Sequence, residues 1–281
     1  MNKQKLILLS TLATLAVAII GNIVHCNNFI SVKNYSVKTD KLDTNIHFVL
    51  LSDLHNREFG KDNKTLISKV KEQNPDFIAV CGDMVTRNND DYSVMKSVLT
   101  NLSKIAPTYF VLGNHERDLA RTIDIDYESI VSSTGAIFLD NKHIEFEKNG
   151  ESFLIGGLSD YPYYEEYYPD YDNPERHFWD KFNESSKDSY SILLHHQPEY
   201  IAGNLNESNI DLVLCGHTHG GLVQIPFVGG LIAPNQGFFP EYDKGEYEFD
   251  GTKMIISAGL SGSHNFPRIN NQIEICVVDI N

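Results

Sequence analysis

Five short polar segments, each directly behind a run of apolar, β-favouring residues, restrict this chain more than any other feature. They are Ser52-Asp53-Leu54-His55, Gly82-Asp83, Gly113-Asn114-His115-Glu116, His196-Gln197-Pro198 and Gly216-His217-Thr218-His219. The runs before them are His47–Leu51, Phe77–Cys81, Thr108–Leu112, Ser191–Leu194 and Asp211–Cys215. A buried parallel strand reads as such a run, and functional side chains of an α/β sheet collect just past the carboxyl ends of its strands. The pattern therefore predicts Asp, His and Asn side chains gathered along one rim, which is the donor chemistry of a metal site.

Each segment contributes a specific donor. In Asp53-Leu54-His55 an extended backbone would aim positions 53 and 55 at one cation and turn Leu54 into the core. His217 and His219 repeat that spacing. Asp83 has two oxygens, enough to bridge two cations; Asn114 offers a carbonyl oxygen and His196 an imidazole. Mixed nitrogen and oxygen ligation suits Mn, Fe or Zn rather than a thiolate-preferring ion. Gly82, Gly113 and Gly216 stand where the backbone must turn tightly beside the ligands. Of the adjacent His195 and His196, strand alternation lets only one face the rim, and the His-x-Pro setting favours His196. His25, His47, His143, His177 and His264 lie outside any motif and read as surface or packing residues.

The remaining composition narrows the class. A chain of 281 residues, 41% apolar and 22% charged, suits one large α/β domain or two at most. A net charge of −15 argues against a nucleic-acid partner, because such binding rests on Lys and Arg neutralising phosphates. Cys26, Cys81, Cys215 and Cys276 form no CxxC pair and read as free thiols.

The N-terminus reads separately from the rest. Leu6 to Val24 carries no charge, and its length is close to the roughly 20 residues that cross a bilayer. A signal peptide cut near Ala16-Val17-Ala18 is the rival reading, but the apolar run continues past Ala18. His25 before Cys26 fits a lipoprotein site poorly. The expected organisation is an uncleaved membrane anchor over 1–26, a polar connector over 27–45 that joins a sheet near Ile30–Val37, and one domain over 46–281. A short tail kept inside, with the domain outside the cytoplasm, is the simpler insertion.

Strand and helix alternate over 47–112, with Leu66, Ile67 and Val70 on one helical face and Val94, Met95, Val98, Leu99, Leu102 and Ile105 on another. Asp90, Asp91 and Ser93 offer N-caps to that second helix. This predicts βαβ units and a parallel sheet. After Gly135, apolar stretches at Ile137–Leu139, Ile144–Phe146, Phe153–Ile155, Leu222–Ile225, Met254–Ser257 and Ile273–Val278 predict a second, mixed or antiparallel sheet packed on the first. Asp160 to Glu175, rich in tyrosine, reads as a surface loop or as a lid over the rim.

Taken in order, Asp-x-His, Gly-Asp, Gly-Asn-His-Glu, His and Gly-His-x-His resemble the calcineurin-like metallophosphoesterase superfamily. Leu51–Asn56, Cys215–Pro226 and Pro267–Asn271 resemble its bacterial membrane-associated YkuE/YaeI-like branch, related to UDP-2,3-diacylglucosamine hydrolases. The likeness runs from about His47 to Val278. Leu222 and Gln224 depart from it, standing where many members of the branch carry Gln and Arg.

The resemblance implies an α/β fold, a four-layer α/β/β/α sandwich of two mixed sheets flanked by helices, here preceded by the N-terminal transmembrane helix. It implies one divalent metal ion on Asp53, His55, Asp83 and His219, and a second on Asp83, Asn114, His196 and His217. His115 would ligate neither; it would sit over the substrate phosphate as the catalytic acid. The implied reaction is hydrolysis of a phosphodiester or pyrophosphate by a hydroxide shared between ions about 3.5–4 Å apart. The expected substrate is a small-molecule or lipid-linked envelope phosphoester. A phosphomonoesterase, a nuclease of the same fold and a metal-containing scaffold without catalysis stay open, the nuclease being disfavoured by the charge. Arg268 reads either as a contact to substrate phosphate or as a surface ion pair.

Overall fold

Successive side chains of a strand face opposite sides, and in the central strands of this chain both sides are apolar and buried. The structure, a computed structural model, describes residues 3–159, 174–262 and 266–281. The lid reading of the tyrosine-rich stretch, and His264, fall outside the described residues.

In chain order the elements are helix α1 (Lys3–Asn28), β1 (Ser31–Val37), β2 (Ile46–Leu51), α2 (Lys64–Gln73), β3 (Phe77–Cys81), α3 (Ser93–Leu102) and β4 (Thr108–Val111). There follow α4 (Asn114–Ala120), α5 (Tyr127–Ser132), β5 (Ile137–Phe138), β6 (Lys142–Lys148), β7 (Glu151–Gly157), α6 (Pro174–Ser185), β8 (Ser191–Leu194), α7 (Pro198–Ile201) and β9 (Leu212–Cys215). The short strands β10 (Gln224–Ile225), β11 (Gly229–Gly230), β12 (Ile232–Ala233) and β13 (Gly237–Phe238) precede β14 (Gly245–Glu248), β15 (Lys253–Ile256) and β16 (Glu274–Ile280).

Two six-stranded sheets result, ordered β1-β16-β2-β3-β4-β5 and β14-β15-β9-β8-β7-β6. In the first, β2 to β5 are parallel, while β16 runs antiparallel to β2 and parallel to β1. In the second, β7, β8, β9 and β15 are parallel, and β6 and β14 are antiparallel edges. Phe48, Leu50, Phe77 and Ala79 of the first sheet pack against Phe153, Ile155, Ile192 and Leu214 of the second. The alternate residues Val49, Leu51, Ile78 and Val80 turn outward onto Leu66 and Val70 of α2 and Val98 and Leu102 of α3. On the far side Leu193, Val213 and Met254 meet Phe178, Trp179 and Phe182 of α6. The four layers α/β/β/α follow from that alternation.

Not every stretch joined the sheet expected of it. Ile137–Leu139 supplies β5 at the edge of the first sheet, beside β4. Ile273–Val278 supplies β16, inserted between β1 and β2. Leu222–Ile225 enters neither sheet; β10 pairs with β11 in a two-stranded ribbon. Local apolar content specifies a strand, whereas its partner depends on which sheet edge the returning chain meets.

The chain before the first sheet is tied to it. Strand β1 forms where the connector was expected to join, and all four cysteines are free and buried. α1 is long and apolar enough to cross a membrane by length and composition, and every residue from Lys3 to Gly21 is exposed. Its last turns dock on the domain: Asn22 Oδ1 accepts from Asn270 N, Asn27 Nδ2 donates to the Arg268 carbonyl, and Cys26 is buried.

Candidate metal centre

Strands β2, β3 and β4 are parallel, as are β8 and β9, and the segments after all five meet on one rim. Backbone hydrogen bonds fasten these segments together: Asp53 N donates to Gly82 O, His55 N to Asp83 O, and Gly216 N to His196 O. The i, i+2 pairs do not converge by being extended. Asp53 and His55 have φ of 55° and 49°, and His217 and His219 have φ of 71° and 51°. Both pairs sit in left-handed turns that bend off the strand ends, a conformation costing about 1–3 kcal/mol per non-glycine residue. Leu54 between the first pair is buried as expected. Gly82 supplies a φ of 71°, and a Cβ on Gly113 would lie 2.2 Å from Asp83 Oδ1. Glycine at both positions lets two strand ends approach closely.

These turns bring the predicted residues into one buried cluster. Ligand atoms of Asp53, His55 and His219 lie within 4.8 Å of one another, and so do those of Asp83, His196 and His217. His196 Nε2 is 3.2 Å from Asp83 Oδ2, 4.0 Å from Asp53 Oδ1 and 3.2 Å from Asn114 Oδ1. His55 Nε2 is 3.7 Å from Asp83 Oδ2 and 3.9 Å from Asp53 Oδ1. His115 Nε2 stands 3.9 Å from Asp83 Oδ2 on a half-buried side chain. His195 turns instead toward the Leu158 carbonyl. His47 pairs with Asp279 and Gln73 O, His143 rests on Phe178 and Phe182, and His25 stacks on Phe29.

The donor set fits a divalent cation. Both ring nitrogens of His55 are buried without a hydrogen-bond partner, although two carboxylates lie just beyond hydrogen-bond reach. Two ligands of one ion, each at about 2.0–2.2 Å, stand about 3 Å or more apart, which is the spacing seen here. The other nitrogen of two histidines is occupied by a backbone carbonyl, Cys81 O for His196 Nδ1 and Ser261 O for His219 Nδ1. Such partners fix the tautomer that leaves Nε2 facing a metal.

Electrostatics agree with a site built around cations. Burial alone would raise the Asp83 carboxyl, but His196, His55 and His115 hold it well below the usual range. Asp53 is likewise lowered against its burial, chiefly by His219 and His196. His196 is pushed up to about 10: burial opposes its charge, and the Asp83 carboxylate overcomes that. Burial pulls His219 down to about 3 and His115 down to about 4.

Several contributors carry weaker sequence signals. Glu116, buried, accepts from the backbone N–H groups of Asp83, Met84, Val85 and Gly113 and so clamps β3's loop onto α4. Burial and the Asp83 charge raise its pKa to about 7. Glu199 Oε1 lies 3.3 Å from His217 Nε2, and Asn235 Nδ2 lies 3.2 Å from the same nitrogen. Glu199 directly follows Gln197-Pro198 and was findable there; nothing local marks Asn235. Arg268 is not a surface ion pair. It is fully buried, its guanidinium donates to the Ala258 and Ser261 carbonyls, and desolvation lowers its pKa to about 10. Gln224 donates inward to Gly220 O and Asp243 Oδ2, bracing the ribbon.

Comparison with known proteins points the same way. The calcineurin-like phosphoesterase family matches residues 46–221. The uncharacterized metallophosphoesterase YkuE of Bacillus subtilis is 29% identical over 75% of this chain and 71% of its own length. A Campylobacter jejuni metallophosphoesterase is 31% identical over 81% of this chain, which spans only 57% of that relative. A solved Thermus thermophilus protein superposes with a TM-score of 0.48 at 13% identity, covering 78% of this chain and 91% of the other. The chain belongs to the calcineurin-like metallophosphoesterase family and is a metal-dependent phosphoric ester hydrolase.

Proposed function

We propose that the enzyme uses two divalent cations, one on Asp53, His55, Asp83 and His219, the other on Asp83, Asn114, His196 and His217. Asp83, with one carboxylate oxygen facing both histidine groups, would serve both ions. The observation that carries this is a chain of overlapping donor groups, Asp53-His55-His219, His55-Asp83-His115 and Asp83-His196-His217, in which Asp83 Oδ2 faces both His55 Nε2 and His196 Nε2. When bound, such cations neutralise developing phosphate charge and make a coordinated water acidic enough to supply the nucleophile near neutral pH.

The chain's own residues do the rest. The Arg87 N–H donates to His115 Nδ1, so the neutral ring carries its proton on Nε2, the atom toward Asp83. The neutral ring can offer that Nε2–H to a phosphate oxygen as a hydrogen bond. To act as an acid it must first gain a proton at Nδ1, with the Arg87 N–H turned away, which the negative charge of a bound phosphate favours by raising its pKa. It then passes the Nε2 proton to the leaving oxygen. The bond is a phosphodiester or pyrophosphate, on an envelope or lipid-linked substrate; α1 supports that context, as a retained anchor with the catalytic domain outside the cytoplasm. A net charge of −15 argues against nucleic acid as substrate.

The test is turnover of the full chain on p-nitrophenyl phosphate, bis-p-nitrophenyl phosphate and a nucleotide-sugar pyrophosphate, with Mn, Fe and Zn supplied in turn and bound metal measured by elemental analysis. Two ions per chain and preference for the diester or pyrophosphate are expected. Monoester preference overturns the bond assignment, and a single ion at full activity overturns the dinuclear one.

A further inference from the structure

From Leu222 to Phe239 no residue is charged, in a chain that is 22% charged. This segment forms the two ribbons β10–β11 and β12–β13 and leaves Phe227, Val228, Phe238 and Phe239 exposed, Phe227 completely. Among the described residues beyond α1, the other large apolar side chains exposed to this degree are Phe29, Phe266, Ile123 and Ile137. The first of these directly follows α1 and the second lies two residues before Arg268, which is bonded to the end of α1. Several exposed large apolar side chains gathered on one uncharged segment mark a contact surface.

The hydrogen bonds fix which way the first ribbon points. Arg268 is bonded to Asn27 and Asn270 to Asn22, so from 268 to 270 the chain climbs α1 toward its N-terminus, by five residues or about 7 Å. Val223 bridges Ile269 in parallel, Gln224 N donates to Ile269 O, and Gln224 O accepts from Asn270 Nδ2. The segment from Val223 to Gln224 therefore climbs in the same direction. β10 carries the chain one residue further, about 3.3 Å, to Ile225, where a turn closed by Val228 N donating to Ile225 O presents Phe227 and Val228 just beyond it. That direction points the tip toward the level of the exposed apolar part of α1 that precedes Gly21. The second ribbon reaches the metal centre: Asn235 in its turn contacts His217 Nε2 and Glu199 Oε1, and Phe239 N donates to Leu231 O between the ribbons.

We infer that the two ribbons are a membrane-seating wedge: Phe227 and Val228, backed by Phe238 and Phe239, enter the lipid headgroup and acyl boundary beside α1. The occupant of this face is the bilayer, because the ribbon points along the direction of a helix whose uncharged run from Leu6 to Val24 has bilayer-crossing length. Seating there brings the centre within reach of headgroups, so the substrate is a phosphoester carried on a membrane amphiphile. The inference rests on the reading of α1 as a retained anchor.

The experiment uses the full chain in vesicles of phosphatidylethanolamine and phosphatidylglycerol. Because the native cysteines are buried, Phe227→Cys, Leu12→Cys and Glu72→Cys each take a single NBD label. Quenching by spin-labelled lipid is expected at positions 227 and 12 and not at 72. Quenching at 12 without 227 overturns the wedge and leaves the anchor standing; none at 12 removes both. These readouts need no turnover, so they stand apart from the assignment of the reaction. Where the wild type cleaves a phosphodiester lipid in these vesicles, Phe227→Asp with Val228→Asp is expected to lower that rate at least about tenfold, through lost interfacial burial, while soluble bis-p-nitrophenyl phosphate turnover holds. Equal losses on both substrates would overturn the seating role.

Discussion

Asp83 and His115 stand 3.9 Å apart, yet their substitutions separate two kinds of failure. Asp83→Asn removes the charge that both donor clusters share, and the purified protein is expected to lose bound metal by elemental analysis. His115→Ala leaves every proposed ligand in place, so metal content is expected to hold. Its turnover on an alkyl phosphodiester should fall about 10²–10⁴-fold, the range of a lost general acid, and fall less on a p-nitrophenyl ester with its better leaving group. Wild-type rates on the alkyl ester would end the acid role. His196 gives a pH prediction. With its pKa raised to about 10, it is protonated at neutral pH in the metal-free protein, and a cation must displace that proton. Metal affinity should therefore rise with pH, about tenfold per unit from neutral toward pH 10, with proton release seen as buffer-dependent heat in calorimetry.

Helix α4 is the element on which the site depends most. Asn114 opens it, His115 follows, and Glu116 at its third position bonds back to Gly113 N and across to three N–H groups after β3. The Gly-Asn-His-Glu motif is thus one device that presents a donor and an acid while pinning the loop that carries Asp83. Glu116→Ala strands four buried N–H groups, each worth about 1–3 kcal/mol when unsatisfied. A loss of at least about 3 kcal/mol in urea unfolding is expected, after local relaxation, together with weaker metal binding. Unchanged stability would mean water replaces the carboxylate without penalty.

Strand β16 decides the whole molecule. It lies between β1 and β2 and buries Ile275, Cys276, Val277, Val278 and Ile280. At about 1.5–3 kcal/mol per large buried side chain, this one strand rivals the 5–15 kcal/mol that hold a typical domain together. A chain ending at Ile273 is expected to lose cooperative thermal unfolding and near-UV circular dichroism. It would also release β1, and with it the tie between α1 and the first sheet.

The five strand-plus-ligand segments, two sheets packed on one another and the cluster from Asp53 to His219 were legible in the residues, and the four layers in the family resemblance those residues carry. Apolar alternation and donor chemistry are local properties, set by which side chains water tolerates and which atoms bind cations. Tertiary structure alone decided that β5 and β16 join the first sheet and that β10 leaves the second. It also decided that Arg268 is buried, that Asn235 reaches His217, and that 53, 55, 217 and 219 converge through left-handed turns. Those outcomes depend on contacts between residues far apart in the chain, where the closing of a common core selects among pairings that each stretch allows equally by itself.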